Sequence, residues 1–307
     1  MALRLKVLPT PISGLMLALF SLGNLLNPIH PMLRYFFGFI ALIILIALVA
    51  KLLLYPKMIK EDFSNPVLAS VMATFPMSLI VLSTYIVSFT YTIGFILWAL
   101  GIFLNILLVI LFTIKHVFPW DIKKVFPSYF VLYVGVVVGS VAAPLYDMQS
   151  VGQVLFWYGL IIYGLLIIIV SYRVLFIKNL LEPIKPTLII YTAPASLLLI
   201  GYLSSFAQVN SYILYPLAVW AGLMVLVGLI NLPKLLQTSF YPSWSSFTFP
   251  FVISAIALQG FNNRLEVNQV SLLSILQILL ILWALCIVLF VLVQYVIFLK
   301  NPVLKRN

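Results

Sequence analysis

The sequence predicts an all-α polytopic membrane protein: ten transmembrane helices, paired as five helical hairpins in a single transmembrane domain over 1–307. Three observations predict it. The chain is 64% hydrophobic and 7% charged with a mean hydropathy of +1.23, whereas a soluble domain keeps roughly 25% charged residues to stay in water. Ten apolar segments are long enough to cross a hydrocarbon core of ~30 Å at about 1.5 Å per residue. Lys and Arg, finally, are split very unequally between the two alternating sets of loops, as fixed insertion requires.

The segments are 10–26, 32–54, 66–88, 91–114, 127–146, 151–176, 187–206, 212–232, 240–261 and 270–299, the first and fifth with little length to spare. The first follows MALRLKVLPTPISG, with two positive charges before an apolar run and no small-residue cleavage site after it, so it reads as a retained helix. The second carries IALIILIALVA and the sixth GLLIIIV, uninterrupted apolar runs. The third begins at Pro66 and holds Pro76; the fifth follows Pro127 and holds Gly135 and Gly139; the seventh follows Pro186 and holds Pro194. The eighth has Pro216 near its start, where a helix tolerates it. The ninth, SFYPSWSSFTFPFVISAIALQGF from Ser239, is uncharged and holds Pro250 deep inside. The tenth contains the single cysteine, Cys286, in an apolar run. One cysteine excludes an internal disulfide and a cysteine metal site, and reads as a buried, inert thiol.

With both termini cytoplasmic, the inside receives Arg4, Lys6, Lys51, Lys57, Lys60, Lys115, Lys123, Lys124, Arg173, Lys178, Lys185, Lys234, Lys300, Lys305 and Arg306, against only Arg34 and Arg264 outside. Adding or removing one span scrambles that division. The net charge of +11 therefore reads first as an insertion signal and not as a nucleic-acid surface, with collection of anions at the inner mouth as a secondary effect.

A weak repeat underlies the hairpins, which run approximately over 8–57, 58–118, 119–178, 179–235 and 236–307. Prolines open every odd span at Pro9, Pro66, Pro127, Pro186 and Pro242, separated by 57, 61, 59 and 56 residues. A second helix-weakening residue follows at Pro76, Gly135, Pro194 and Pro250, while the first copy has Leu17 there. A proline at membrane depth frees a backbone group that only neighbouring helices or a wet cavity can satisfy. The odd spans are therefore expected as an inner ring of five kinked helices lining a pore, with the even spans outside against lipid. Near the bends stand Thr74, Ser78, Ser140, Thr192, Ser196, Thr248 and Ser254, either as pore donors or simply as helix-to-helix links. No Asp, Glu, Lys or Arg lies in any odd span, so such a pore neither selects cations by charge nor holds anions tightly. Phe249, beside Pro250, is the candidate gate, and Phe75, beside Pro76, a second one.

The runs PISGLMLALFSLGNLL, NPVLASVMATFPMSLIVLSTY, PSYFVLYVGVVVGSVAAP and YPSWSSFTFPFVISAIAL resemble the tellurite-resistance/dicarboxylate transporter family, which includes bacterial TehA and the plant guard-cell slow anion channels. The likeness covers essentially all ten spans, and the TFP of Thr248 to Pro250 is its most telling piece. It implies a homotrimer in the bacterial cell membrane with one pore per subunit, passing small inorganic anions such as chloride and nitrate, and blocked by the phenylalanine matching Phe249. The chain departs from several relatives in having Leu132 and Met16 near positions where they have proline; Gly135, Gly139 and Gly14 offer flexibility instead. Regulatory tails like those of the plant proteins are not expected, nor gating by phosphorylation.

Enzymatic readings find no support. His30 and His116 flank membrane segments on opposite sides, and there is no HExxH, phosphate loop or intramembrane carboxylate pair, so no cofactor or metal is expected. The rival reading is a proton-coupled transporter of C4-dicarboxylates or other oxyanions, which normally needs a titratable group in its path. A structural membrane subunit is the third. A tellurite-handling site would be expected to offer thiols, which a lone Cys286 in an outer span does not.

Overall fold

The computed structural model describes residues 2–118, 120–265 and 272–300, and every regular element among them is helical. The even-numbered spans are unbroken α-helices: Pro31–Leu54, Tyr91–Phe112, Gln149–Tyr172, Ser211–Leu235 and Leu272–Lys300. Their runs of Leu, Ile, Val and Phe leave the backbone ladder intact, and the prolines of the eighth, Pro216 and Pro233, stand near its two ends. Polar caps set the starts: His30 Nδ1 accepts from the Met32 N–H at 3.2 Å ahead of Pro31, and Asn210 Oδ1 from the Tyr212 N–H at 2.8 Å. His116 is structural too, with Nε2 at 2.9 Å from the Phe63 carbonyl oxygen.

Four of the five odd-numbered spans break in the middle. The third is Pro66–Val71 followed by Thr74–Ile86; the Met72 carbonyl, which Pro76 cannot reach with an N–H, instead accepts from Phe75 at 2.9 Å. The fifth passes from the α-helix Tyr129–Val134 through a 3-10 turn at Gly135–Val137 into Val138–Ala142 and a second 3-10 turn, Ala143–Tyr146. The seventh is a 3-10 helix over Glu182–Thr192 and an α-helix over Ala193–Ser205; the ninth repeats this with Pro242–Phe247 and Phe249–Arg264. Breaks thus fall at the copies carrying a second proline or glycine, and Ile12–Leu26, which has Leu17 instead, is continuous.

Burial separates the two sets. In the most apolar 18-residue stretch of each long helix, 72% to 78% of residues are buried in the third, fifth, seventh and ninth spans, but 17% to 33% in the even ones. Each odd span packs against the even span that follows it. The first also touches the third and the ninth, the third the fifth, the fifth the seventh, and the seventh the ninth. Buried hydroxyls join the same neighbours: Thr74 Oγ1 donates to Ser13 Oγ at 2.6 Å and Ser70 Oγ to Ser128 Oγ at 2.7 Å, while Ser140 and Ser205 stand 2.9 Å apart, and Ser196 and Ser254 3.0 Å. From ninth to first the link is a long 3.5 Å contact from Thr248 Oγ1 to the Gly14 carbonyl.

Three expectations are corrected. Five kinked odd helices were expected, and only four break, because the first has Leu17 where the others carry a proline or glycine. The first span is shorter than the expected 10–26: among the described residues Ile12–Leu26 is one of ten apolar helices, and its 15 residues fall short of the length the other nine reach. Pro9 and Pro11 bar an α-helix from extending further back, and tight turns occupy the stretch instead, with Ile12, Ser13 and Gly14 donating to the carbonyls three residues earlier. Cys286 is exposed on the tenth helix and not buried, because it falls on the face of that helix turned away from the core. The expected start of the tenth span at Val270 lies outside the described residues, as do Lys305 and Arg306.

Candidate functional site

Two cavities meet inside the helical body. The narrow one, about 40 Å³, is lined from all five odd spans: Gly14 from the first, Thr74 and Met77 from the third, Val134 and Gly135 from the fifth, Ala193, Pro194 and Leu197 from the seventh, Ser245, Ser246, Phe249 and Pro250 from the ninth. That is room for roughly two or three waters. The wide one, about 630 Å³, extends from Phe249, Ile253 and Leu197 past Val138 and Ile80 to the exposed Ser88 and Leu145, at the end where the odd spans finish. Phe249 and Leu197 line both, so the Phe249 ring, itself 7% exposed, stands where the two spaces adjoin.

Local backbone chemistry sets Phe249 there. The ninth span changes from 3-10 to α geometry at Thr248, whose φ of −92° and ψ of −74° mark the junction, and Phe249 is the first α-helical residue. Pro250 follows within the first turn, where its missing N–H leaves nothing unsatisfied and its ring fixes φ. The other linings repeat the pattern. Thr74 opens Thr74–Ile86, Ala193 and Pro194 open Ala193–Ser205, and Gly14 lies in the first turn of Ile12–Leu26. Four α-helices thus begin at the narrow cavity, with N–H groups of their first turns bonded to the turn or helical segment before them, at Ile12, Ser13, Gly14, Phe75 and Ala193.

No charged side chain lines the narrow cavity, and Arg34 alone lines the wide one, among the described residues. Of the positions expected to line or bend a pore, Gly14, Thr74, Gly135, Pro194 and Pro250 reach the narrow cavity. A side chain on Gly135 would run into the Met77 thioether, which explains the glycine. Pro76, Ser78, Gly139, Thr192 and Thr248 line neither cavity, and Ser196 and Ser254 face an apolar crevice between the eighth and tenth helices. Their hydroxyls are turned to backbone: Ser78 to Thr74 O at 2.7 Å, Thr192 to Ile189 O at 3.0 Å, Ser254 to Pro250 O at 2.8 Å, Thr248 to Ser245 O at 2.6 Å. Gly139 accepts the Trp98 indole N–H at 3.0 Å. Phe75 lines neither cavity and packs, half-buried, against the edge of the core.

Sequence reasoning passed over Ser245, Ser246, Met77 and Leu197. The serines precede Pro250 by four and five residues, and α-helical phasing applied throughout misplaces them, because Pro242–Phe247 advances about three residues per turn. The run of Ser and Trp after Pro242 was the available signal.

Fold and site together define a polytopic α-helical membrane protein that holds two adjoining cavities, the narrow one lined by no charged side chain among the described residues. The sequence pattern of the family described as SLAC1, voltage-dependent anion channel, matches residues 7–296, and the chain belongs to that family, which is the tellurite-resistance/dicarboxylate transporter family. Anion transport is thereby its class of activity. Comparison with curated proteins gives no match.

Proposed function

We propose that the protein is a passive channel for small monovalent anions, chloride and nitrate among them, with one passage in each subunit of a homotrimer and Phe249 as its plug. In this reading the odd spans form the inner ring and the even spans the outer ring of five hairpin repeats. Both termini are cytoplasmic in a bacterial plasma membrane.

The observation that carries the reading is the shared wall: a single aromatic ring stands between a space too small for a hydrated ion and one large enough to hold several. An apolar ring can close a constriction by bulk and dewetting, and it reopens it by changing rotamer without a strong ion site. Anion preference is supported by the family match and by a constriction with no acidic side chain to repel an anion and no full charge to hold one back, among the described residues. Most of the hydroxyls near the bends are committed to backbone carbonyls and are not free to serve as pore donors. Phe75 has no such support, since it meets neither space.

The proton-coupled alternative needs a titratable group on the path. Neither cavity is lined by Asp, Glu or His among the described residues. The deciding experiment uses Phe249→Ala protein in planar bilayers under a chloride gradient, with pH varied on one side. The reversal potential is expected to follow chloride and ignore pH, whereas a shift with the proton gradient would favour the transporter.

A further inference from the structure

Arg34 is the one charged side chain lining either cavity among the described residues, and as one of two basic residues on the sparsely charged face it contributes nothing to membrane orientation. Half-buried, it is held rigidly. Its Nη2 donates to the Thr84 carbonyl at 2.6 Å, and the guanidinium carbon lies 4.6 Å from the centre of the Tyr85 ring, whose hydroxyl is anchored on the Phe20 carbonyl at 2.6 Å. Its Nε is buried without a hydrogen-bond partner, and no carboxylate pairs with it among the described residues. An arginine offers five N–H donors and no acceptor; Nη2 is spent on Thr84 and Nε is closed off, so the part of the guanidinium that lines the wide cavity keeps donors for an electron-rich ligand there. The neighbouring wall adds polar groups but no acid: Ser21, Ser88, Thr84, and Asn24, whose amide donates to Thr84 Oγ1 at 2.8 Å.

We propose that Arg34 forms an anion-binding site in the wide cavity, capturing a small monovalent anion before it reaches Phe249. The role in conduction rests on the channel reading above; the binding site does not. Fixed on Thr84 and Tyr85, the guanidinium cannot swing away to solvent, so its charge stays in the cavity at no further ordering cost. Being one charge in a wide, wet space, it enriches anions without retaining them, as throughput requires. Its effect is one-sided, because only ions arriving through the wide cavity meet it.

Two readouts test this, with bromide as the probe for binding. Crystals of the parent protein grown in bromide should show an anomalous peak against the Arg34 guanidinium, and Arg34→Gln should lose it. In the Phe249→Ala background, Arg34→Gln should lower chloride current fed from the wide-cavity side about threefold to tenfold at ~10 mM salt and less than about twofold at ~1 M, where screening is nearly complete. Current fed from the opposite side should change far less. Arg34→Lys keeps the charge but not the planar group stacked on Tyr85 and bonded to Thr84, and should retain most of the current. Absence of the bromide peak in the parent, or an Arg34→Gln loss equal in both directions and indifferent to salt, overturns the proposal; the parent crystals decide it even if Arg34→Gln does not fold. A bromide peak on Arg34 together with a silent Phe249→Ala variant would leave the site standing and remove the channel reading.

Discussion

At the scale of single residues, the chemistry divides into groups committed to structure and groups left open. Ser254 is committed: it bonds Pro250 O and meets Ser196 across the seventh and ninth spans. Ser254→Ala is therefore expected to cost about 0.6 kcal/mol, the usual worth of a hydroxyl link within a membrane bundle, and to change anion current less than about twofold when read in the Phe249→Ala background. Lys51 is committed more strongly. It is 2% exposed, its Nζ donates to Leu8 O at 2.9 Å and lies 3.7 Å from Asp62, and Thr10 donates to the same carboxylate. Asp62→Ala strands a buried ammonium and should lower stability by about 2–3 kcal/mol, seen as a depressed melting temperature in detergent. An unchanged melting temperature would mean the ammonium reaches water. Lys51 was legible as a charge at the end of the second span but not as a buried one, since counting charges per loop says nothing about where each side chain points. Phe249 was legible because an aromatic next to a mid-span proline is a local feature; Arg34 was not, because its partners Thr84 and Tyr85 lie about 50 residues away.

At the scale of elements, a proline or glycine inside a span marked the break in each of the four odd spans that have one, and the run of Leu and Ile marked the helices that stay whole. What the residues did not reveal was the kind of helix on either side of each break. Pro242–Phe247 and Glu182–Thr192 are 3-10 helices, and no residue type separates that geometry from the α-helix. The consequence is positional: a change of pitch rotates the serines before Thr248 onto the cavity and takes Thr248 itself off it. Pro250 holds this junction. Pro250→Ala restores an N–H and lets the α-helix extend backwards, so it should displace Phe249 and raise basal anion current, though less than removal of the ring does. A Pro250→Ala protein as quiet as the parent would show that the proline does not position Phe249.

At the scale of the whole molecule, composition alone pointed to the membrane class, and the alternation of charge pointed to ten crossings, against nine long apolar helices and the shorter Ile12–Leu26 among the described residues. Burial accords with both: the even helices present residues such as Ile46, Phe103, Ile168 and Ile230 at 62%, 61%, 70% and 77% exposure, a lipid-facing surface no water-soluble protein would carry. Subunit number is written in neither composition nor the single chain. Native mass spectrometry from detergent is expected to give an assembly of three 34.6 kDa chains, and a monomer that still conducts would separate the passage from the assembly. If Phe249 closes the passage, removal of its ring alone opens it. Chloride current through reconstituted parent and Phe249→Ala proteins, at matched amounts and folding, tests it most directly. The alanine protein should conduct roughly tenfold more or better, since a barrier lower by only ~1.4 kcal/mol already gives that factor; equal, low currents from the two proteins would contradict it.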